Sequence, residues 1–258
     1  MTDLQNFIKS QQNGILNIFF TAGYPHLDST LAIARHLAAA GVELVEIGMP
    51  YSDPLADGAT IQHSSEQALH NGMNLSILFE QVRQIKGETG LRIVLMGYLN
   101  QMLRMGEERF LQNCRDSGVD GLIIPDLPME VYENQYRELF VHYKQTISFL
   151  VTPRTPAQRV RLADKLSSGF VYLVADNSIT GRVTEGFTTQ QEAYFKRIKD
   201  MQLTSPALIG FGIRNARQFR AACRYAQGAI VGSEFIRQLS GGVNDESIRR
   251  FVEKIRQG

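Results

Sequence analysis

Gly41-Val42-Glu43-Leu44-Val45-Glu46-Ile47-Gly48-Met49-Pro50-Tyr51-Ser52-Asp53-Pro54-Leu55-Ala56-Asp57-Gly58 reads as a strand, a loop and the approach to a helix. Leu44 to Gly48 is a strand-length apolar run interrupted only by Glu46. Side chains alternate along a strand, so Leu44 and Glu46 share one face and Val45 and Ile47 the other. Asp53-Pro54 and Asp57-Gly58 are turn pairs, and a helical pattern begins near Ala59. Working outward, short apolar runs recur at Ile15–Phe20, Ile93–Gly97, Gly121–Ile124, Ile147–Val151, Phe170–Val174, Ala207–Gly210 and Ala229–Val231. Amphipathic stretches separate them. Leu27, Leu31, Ala34 and Leu37 share a helical face after Asp28-Ser29, which can cap; Leu75, Leu78, Phe79 and Val82 do the same, as do Tyr194, Ile198 and Met201. Asp245–Gln257 puts Ile248, Phe251, Val252 and Ile255 on one side, and Leu4, Phe7 and Ile8 predict a short helix before the first strand.

Eight strands alternating with helices predict parallel strands joined by right-handed crossovers. A doubly wound open sheet competes with a closed barrel. Eight βα units in 258 residues favour a (β/α)8 barrel with an extra N-terminal helix, a single domain over residues 1–258. Such a chain hides roughly 70–75% of its unfolded surface, so its core needs no staples. With 27 basic and 26 acidic residues, no global basic field for nucleic acid exists. No apolar run is long enough to span a membrane, and the first residues lack a basic start followed by an apolar stretch, so no secretory signal is expected. Cys114 and Cys223 read as reduced thiols of a cytoplasmic protein, with a disulfide left open.

In a barrel the chemistry sits at the C-terminal strand ends. If Val45 and Ile47 meet the helices, Glu46 points inward near that end. A carboxylate there is costly to charge, so its pKa should rise, which suits a group acting alternately as acid and base. A buried Glu paired with an Arg is the competing reading, and Glu43 near the strand start reads as surface. Asp57 could cap the next helix or converge with Glu46 on one cavity. At the other side, Gly210-Phe211-Gly212 ends strand seven, and Gly232-Ser233 ends strand eight before a helical Glu234-Phe235-Ile236. Loops after strands seven and eight commonly bind phosphate through backbone N–H groups and a helix end. Ser233 could equally be only an N-cap.

The same segments resemble the tryptophan synthase alpha chain family. Glu46 to Gly58 matches its signature, followed by Ile61-Gln62. The likeness extends through Phe20-Thr21-Ala22-Gly23-Tyr24-Pro25, Met96-Gly97-Tyr98-Leu99-Asn100, Gly118-Val119-Asp120-Gly121, Pro125-Asp126-Leu127-Pro128, Thr180-Gly181, Gly210-Phe211-Gly212-Ile213 and Gly232-Ser233. The resemblance implies a (β/α)8 barrel that cleaves indole-3-glycerol phosphate to indole and glyceraldehyde 3-phosphate. It implies Glu46 and Asp57 as the catalytic pair. Asp57 holds the indole N–H, and Glu46 protonates the ring carbon and takes the glycerol hydroxyl proton. Phe20, Tyr172, Thr180, Gly181, Phe211, Gly212, Gly232 and Ser233 are its implied substrate-binding residues, with Thr180 on a lid spanning residues 175–187. It further implies an αββα assembly with a pyridoxal-phosphate beta chain, no cofactor in this chain, and Asp53, Pro54 and Asn100 on the partner-facing side.

Two departures stand out. Asp176-Asn177-Ser178-Ile179 precede Thr180-Gly181 where the family commonly has Ser-Arg or Ser-Ser, and Gln101 stands where many members carry Pro. Arg182 reads as a lid residue. Other chemistries fit less well. The seven lysines fall in predicted helices or before a strand, against a Schiff-base aldolase. His26, His36, His63, His70 and His142 lack ligand spacing, so no metal site is expected. Phe19-Phe20-Thr21 and Leu150-Val151-Thr152 offer no acid for phosphosugar isomerisation. A stand-alone lyase releasing free indole and a non-catalytic, partner-binding barrel are the alternative functions.

Overall fold

The computed structural model describes residues 1–11, 14–54, 57–175 and 186–257. Its strands are β1 (Ile15–Thr21), β2 (Leu44–Gly48), β3 (Arg92–Met96), β4 (Gly121–Ile123), β5 (Phe149–Val151), β6 (Val171–Val174), β7 (Ala207–Gly210) and β8 (Gly228–Val231). All the pairings are parallel, in the order β4-β3-β2-β1-β8-β7-β6-β5. The two ends meet through a parallel bridge between Leu122 and Ile147, supported by hydrogen bonds from Leu122 N to Thr146 O and from Ser148 N to Leu122 O. The sheet is thus closed into a barrel, which settles the choice against an open sheet.

Helices cover the outside: α1 (Asp3–Ser10), α2 (Ser29–Ala39), α3 (Ala59–His70), α4 (Leu75–Glu88), α5 (Leu99–Met105), α6 (Glu107–Ser117), α7 (Met129–Val131), α8 (Arg137–His142), α9 (Ala157–Leu166), α10 (Thr189–Asp200), α11 (Ala216–Cys223), α12 (Ser233–Leu239) and α13 (Asp245–Gln257). A turn of π-helix, Tyr132–Tyr136, joins α7 to α8. Both faces of the parallel sheet are covered, which is why the strands are nearly continuous apolar runs. On α13 the buried stripe is Ile248, Phe251, Val252 and Ile255, as its spacing predicts.

The N-terminal helix packs beneath the barrel. Thr2 and Gln5 form a reciprocal cap on α1. Gln5 Nε2 also donates to Ser167 O at 3.1 Å and Ser205 Oγ at 3.2 Å, tying α1 to the segments that enter β6 and β7. One local expectation fails on α2. Asp28 makes no side-chain cap, and the buried face is Ser29, Thr30, Ile33, Ala34 and Leu37, leaving Leu27 and Leu31 half-buried. The Ser29 hydroxyl instead accepts from His26 N at 3.2 Å, so this turn is closed by the serine.

Candidate active site

The alternation along β2 holds. Val45 and Ile47 are buried away from the barrel mouth, and Glu46 points into a cavity at the C-terminal ends of the strands. The cavity encloses about 540 Å³ of atom-free space, its open mouth included. Phe19, Met96, Tyr172 and Ile230 form its apolar wall, and Asp57 and Ile61 close one side. Glu46 is 1% exposed. Among the described residues no cation pairs with it, so the buried Arg–Glu reading is set aside; the Asn17 amide donates to it at 3.5 Å.

Asp57 does not cap α3. Gly58 occupies the cap position without a side-chain bond. The Asp57 carboxylate turns instead toward the cavity, where its Oδ2 accepts from the Tyr98 hydroxyl at 3.1 Å. Its backbone is fixed by two contacts: Asp57 N donates to Pro54 O at 3.0 Å, and Gln62 Nε2 donates to Asp57 O at 2.8 Å. The Ile61-Gln62 pair therefore has two duties, one as cavity wall and one as clamp on the acidic loop.

The two carboxyls share a cavity but differ in their surroundings. Burial, with the Asp57 charge adding to it, pushes Glu46 up to about 8, against the opposing pull of the Asn17 amide. Burial also raises Asp57, but only to about 6, because the Tyr98 hydroxyl stabilises its anion. Near pH 7 the pair therefore holds one neutral acid and one carboxylate, the separation that acid–base work by two carboxyls requires. Burial, with the two acidic groups adding to it, pushes the Tyr172 phenol well up, so it stays neutral. Its ring meets Phe211 edge-on at 5.8 Å. Gly210 makes room for it, since a Cβ there would overlap the Tyr172 phenol.

At the opposite wall, Phe211, Gly212, Ile213 and Arg214 from the β7 loop face Gly232, Ser233 and Glu234 from the β8 loop and the start of α12. Phe211 and Gly212 both have left-handed backbone, φ 63° and 83°, so the turn exposes main chain toward the cavity in a form that glycine at 212 permits without strain. Arg214, absent from the sequence reading, adds a cation to this end; its signal was its place directly after the glycine turn.

Phe20 is a correction. It pairs in register with Ile47 and is fully buried off the cavity, whereas Phe19 pairs with Glu46 and lines it. Thr180, Gly181 and Arg182 lie outside the described residues. Asp53 and Asn100 are exposed and Pro54 half-buried. Asn100 Nδ2 donates to the Tyr51 hydroxyl at 3.1 Å, and Tyr51 stacks on Tyr98 with centroids 5.0 Å apart. Gln101 uses its side chain where a proline could not: Oε1 accepts from Tyr98 N at 2.9 Å and Nε2 donates to Pro50 O at 3.0 Å. Among the described residues no three His, Cys, Asp or Glu gather as a metal centre would need, and no helix is long and apolar enough to cross a membrane.

A closed parallel barrel with paired carboxyls at one wall of its mouth and two glycine turns after β7 and β8 at the other is the architecture of a barrel enzyme with acid–base groups. The sequence profile of the family "Tryptophan synthase alpha chain" matches residues 5–257, and the chain belongs to that family of lyases. A tryptophan synthase alpha chain of Flavobacterium johnsoniae is 48% identical over 242 residues, 94% of this chain and 95% of its own length. One from Parabacteroides distasonis is 43% identical over 258 residues, covering both chains entirely. Among solved structures, Mycobacterium tuberculosis tryptophan synthase aligns with a TM-score of 0.88 at 28% identity over 99% of this chain and 97% of that one. A tryptophan synthase complex from Pyrococcus furiosus aligns at 0.85 and 31%, over 94% and 98%.

Proposed function

We propose that Glu46 and Asp57 carry the family's half-reaction in this chain, the retro-aldol cleavage of indole-3-glycerol phosphate to indole and glyceraldehyde 3-phosphate. The Asp57 carboxylate accepts the indole N–H. Glu46, neutral near pH 7, gives its proton to the ring carbon that bears the glycerol chain, and the resulting indolenine cation is balanced by Asp57. The Glu46 carboxylate then takes the proton of the adjacent carbinol hydroxyl. As that O–H electron pair becomes the aldehyde carbonyl, the C–C bond breaks and its electrons restore the aromatic ring. Glu46 ends protonated, ready for another cycle. Each proton transfer is worth about 10²–10⁴ in rate.

Phe19 and Tyr172 would sandwich the flat indole beside these groups. The phosphate would lie at the turns around Phe211, Gly212, Gly232 and Ser233, with Arg214 adding charge; Thr180 and Gly181 belong to this reading by resemblance. Asp53, Pro54 and Asn100 would face the beta chain, to which indole is passed for tryptophan synthesis in an alpha2beta2 assembly. The alpha chain itself would need no cofactor, pyridoxal phosphate belonging to the beta chain.

The observation that supports this most is the convergence of the buried Glu46 and Asp57 carboxyls on one cavity, in surroundings that raise Glu46 further than Asp57. The test is turnover of indole-3-glycerol phosphate by the purified chain, alone and with the beta chain added. Cleavage stimulated by the partner is expected. No cleavage under either condition would refute the reading.

A further inference from the structure

The proposed mechanism gives no role to Asn17, a buried polar side chain beside Glu46 in the barrel. Asn17 on β1 is fully buried. It pairs in register with Leu44 of β2 and Ile230 of β8, in a layer where branched apolar side chains ordinarily fill a barrel. Its Nδ2 donates to Glu46 Oε2 at 3.5 Å, and its Oδ1 has no hydrogen-bond partner among the described residues. A buried carbonyl left unpaired lowers stability, and an apolar residue would avoid that. Packing alone therefore gives no reason for an amide at this position.

The chemistry of Glu46 does give one. A carboxylate needs a hydrogen-bond donor beside it, and a carboxylic acid needs an acceptor for its O–H. A primary amide carries both on one planar group, and a half-turn exchanges them. We propose that Asn17 is a positioning residue for Glu46, donating through Nδ2 to its carboxylate and accepting through Oδ1 from its carboxylic acid, so that the side chain stays aimed into the cavity in both states. The Oδ1 without a partner is then the acceptor used in the protonated state. This inference rests on the reading of Glu46 as the proton carrier. Among the described residues, the other titratable or charged groups on this cavity are Asp57, Tyr172, Arg214 and Glu234. Replacing Asn17 therefore changes hydrogen bonding at Glu46 without changing any charge around it.

The test is Asn17→Leu, which keeps the branching and removes the amide. The Glu46 carboxyl is followed directly by carbon-13 NMR in protein labelled at the glutamate carboxyls. Its titration midpoint is expected to rise by about one pH unit, about tenfold in proton affinity, because the charge-assisted bond lost from the anion is stronger than the neutral bond lost from the acid. The alkaline limb of the kcat/KM profile should move with it. At pH 7 kcat should fall about 10- to 100-fold while KM changes less than about twofold. The melting temperature should hold or rise, because the unpaired carbonyl is gone too. An asparagine that only supports the fold gives the opposite pattern, a lower melting temperature with the titration unmoved. Either an unmoved midpoint or an unmoved kcat overturns the proposal. Asn17→Ala, which only deletes atoms, is read in the same way if the leucine variant does not fold. Glu46→Gln assayed in parallel separates the two layers of the argument. Full turnover in that variant removes the catalytic reading of Glu46; an inactive Glu46→Gln with an unaffected Asn17→Leu removes only the role of Asn17.

Discussion

Replacing Glu46 with Gln sets the needs of the reaction against those of the fold. In the folded chain this carboxyl titrates near 8, from an ordinary value of 4.5. Between those two pH values the folded state holds a proton that the unfolded chain has released. Stability therefore falls as pH rises from about 4.5 to about 8 and levels off above. The shift corresponds to at most about 5 kcal/mol at 1.4 kcal/mol per unit. At pH 5 only about 1 kcal/mol of it has been lost, so about 4 kcal/mol separates pH 5 from pH 9. Gln keeps the shape and never ionises, so the variant escapes this loss. For a chain of this size 1 kcal/mol moves the melting temperature by about 2–4 °C. Glu46→Gln should then melt about 8–15 °C further above the wild type at pH 9 than at pH 5. The elevation of Asp57 weakens both proteins alike and cancels in the difference, apart from its coupling to Glu46. Thermal melts followed by far-ultraviolet circular dichroism at pH 5, 7 and 9 measure the gap, and turnover of indole-3-glycerol phosphate should fall by about 10²–10⁴ in the same samples. A melting gap that does not widen with pH would show that Glu46 titrates as an ordinary surface carboxyl, and the assignment of acid and base would go with it.

Three further outcomes follow from the same geometry. The kcat/KM profile should be bell-shaped, with an acid limb near 6 set by Asp57 and an alkaline limb near 8 set by Glu46; Tyr98→Phe removes a donor to the Asp57 anion and should move only the acid limb, upward by about one unit. Gly210→Ala puts a methyl group into the Tyr172 ring, so kcat/KM should drop by about tenfold or more as the indole wall shifts, whereas an unmoved value would remove Tyr172 from the site. Gly212→Val forces a branched residue into φ 83°, and Gly232→Val starts from a Cβ already 3.4 Å from Phe19; both should raise KM by about tenfold or more, Gly212→Val with a melting temperature lowered by a strain of about 1–3 kcal/mol, and normal substrate binding would place the phosphate elsewhere.

The barrel was legible because its strands punctuate the chain, and Glu46 because a lone carboxylate in Leu44–Gly48 has only two faces to choose from. Asp57 was not legible locally. Asp-Gly is a turn pair by default, and what removes it from that role is a hydroxyl from Tyr98, 41 residues away. The resemblance implies Phe20, and the local pattern does not redirect it to Phe19, because parallel strands are covered on both faces, so hydropathy does not alternate and adjacent phenylalanines look alike. The strand did carry a parity mark. Asn17 is the polar residue of its run, and it shares a face with Phe19 rather than Phe20. The Gln101 departure was visible, but its consequence was not, since its bond to Pro50 O joins two loops that sequence keeps apart.

What distinguishes the two acids is their place in the fold. Both are raised chiefly by burial. Glu46 sits on a strand at 1% exposure, where forming an anion costs most and its donor is a long contact from Asn17. Asp57 sits on a loop clamped by Gln62, closer to solvent and within 3.1 Å of a phenol that favours its anion. In the proposed mechanism the strand position would therefore supply the proton donor and the loop position the counter-charge. Exchanging the residue types while keeping these surroundings would leave the roles where they are. The same asymmetry accounts for the cost to the fold. The proposed mechanism would need an anion at the strand position only for the moment between two proton transfers, and a neutral carboxyl there is the state that the packed wall of Phe19, Met96, Tyr172 and Ile230 accommodates at least cost.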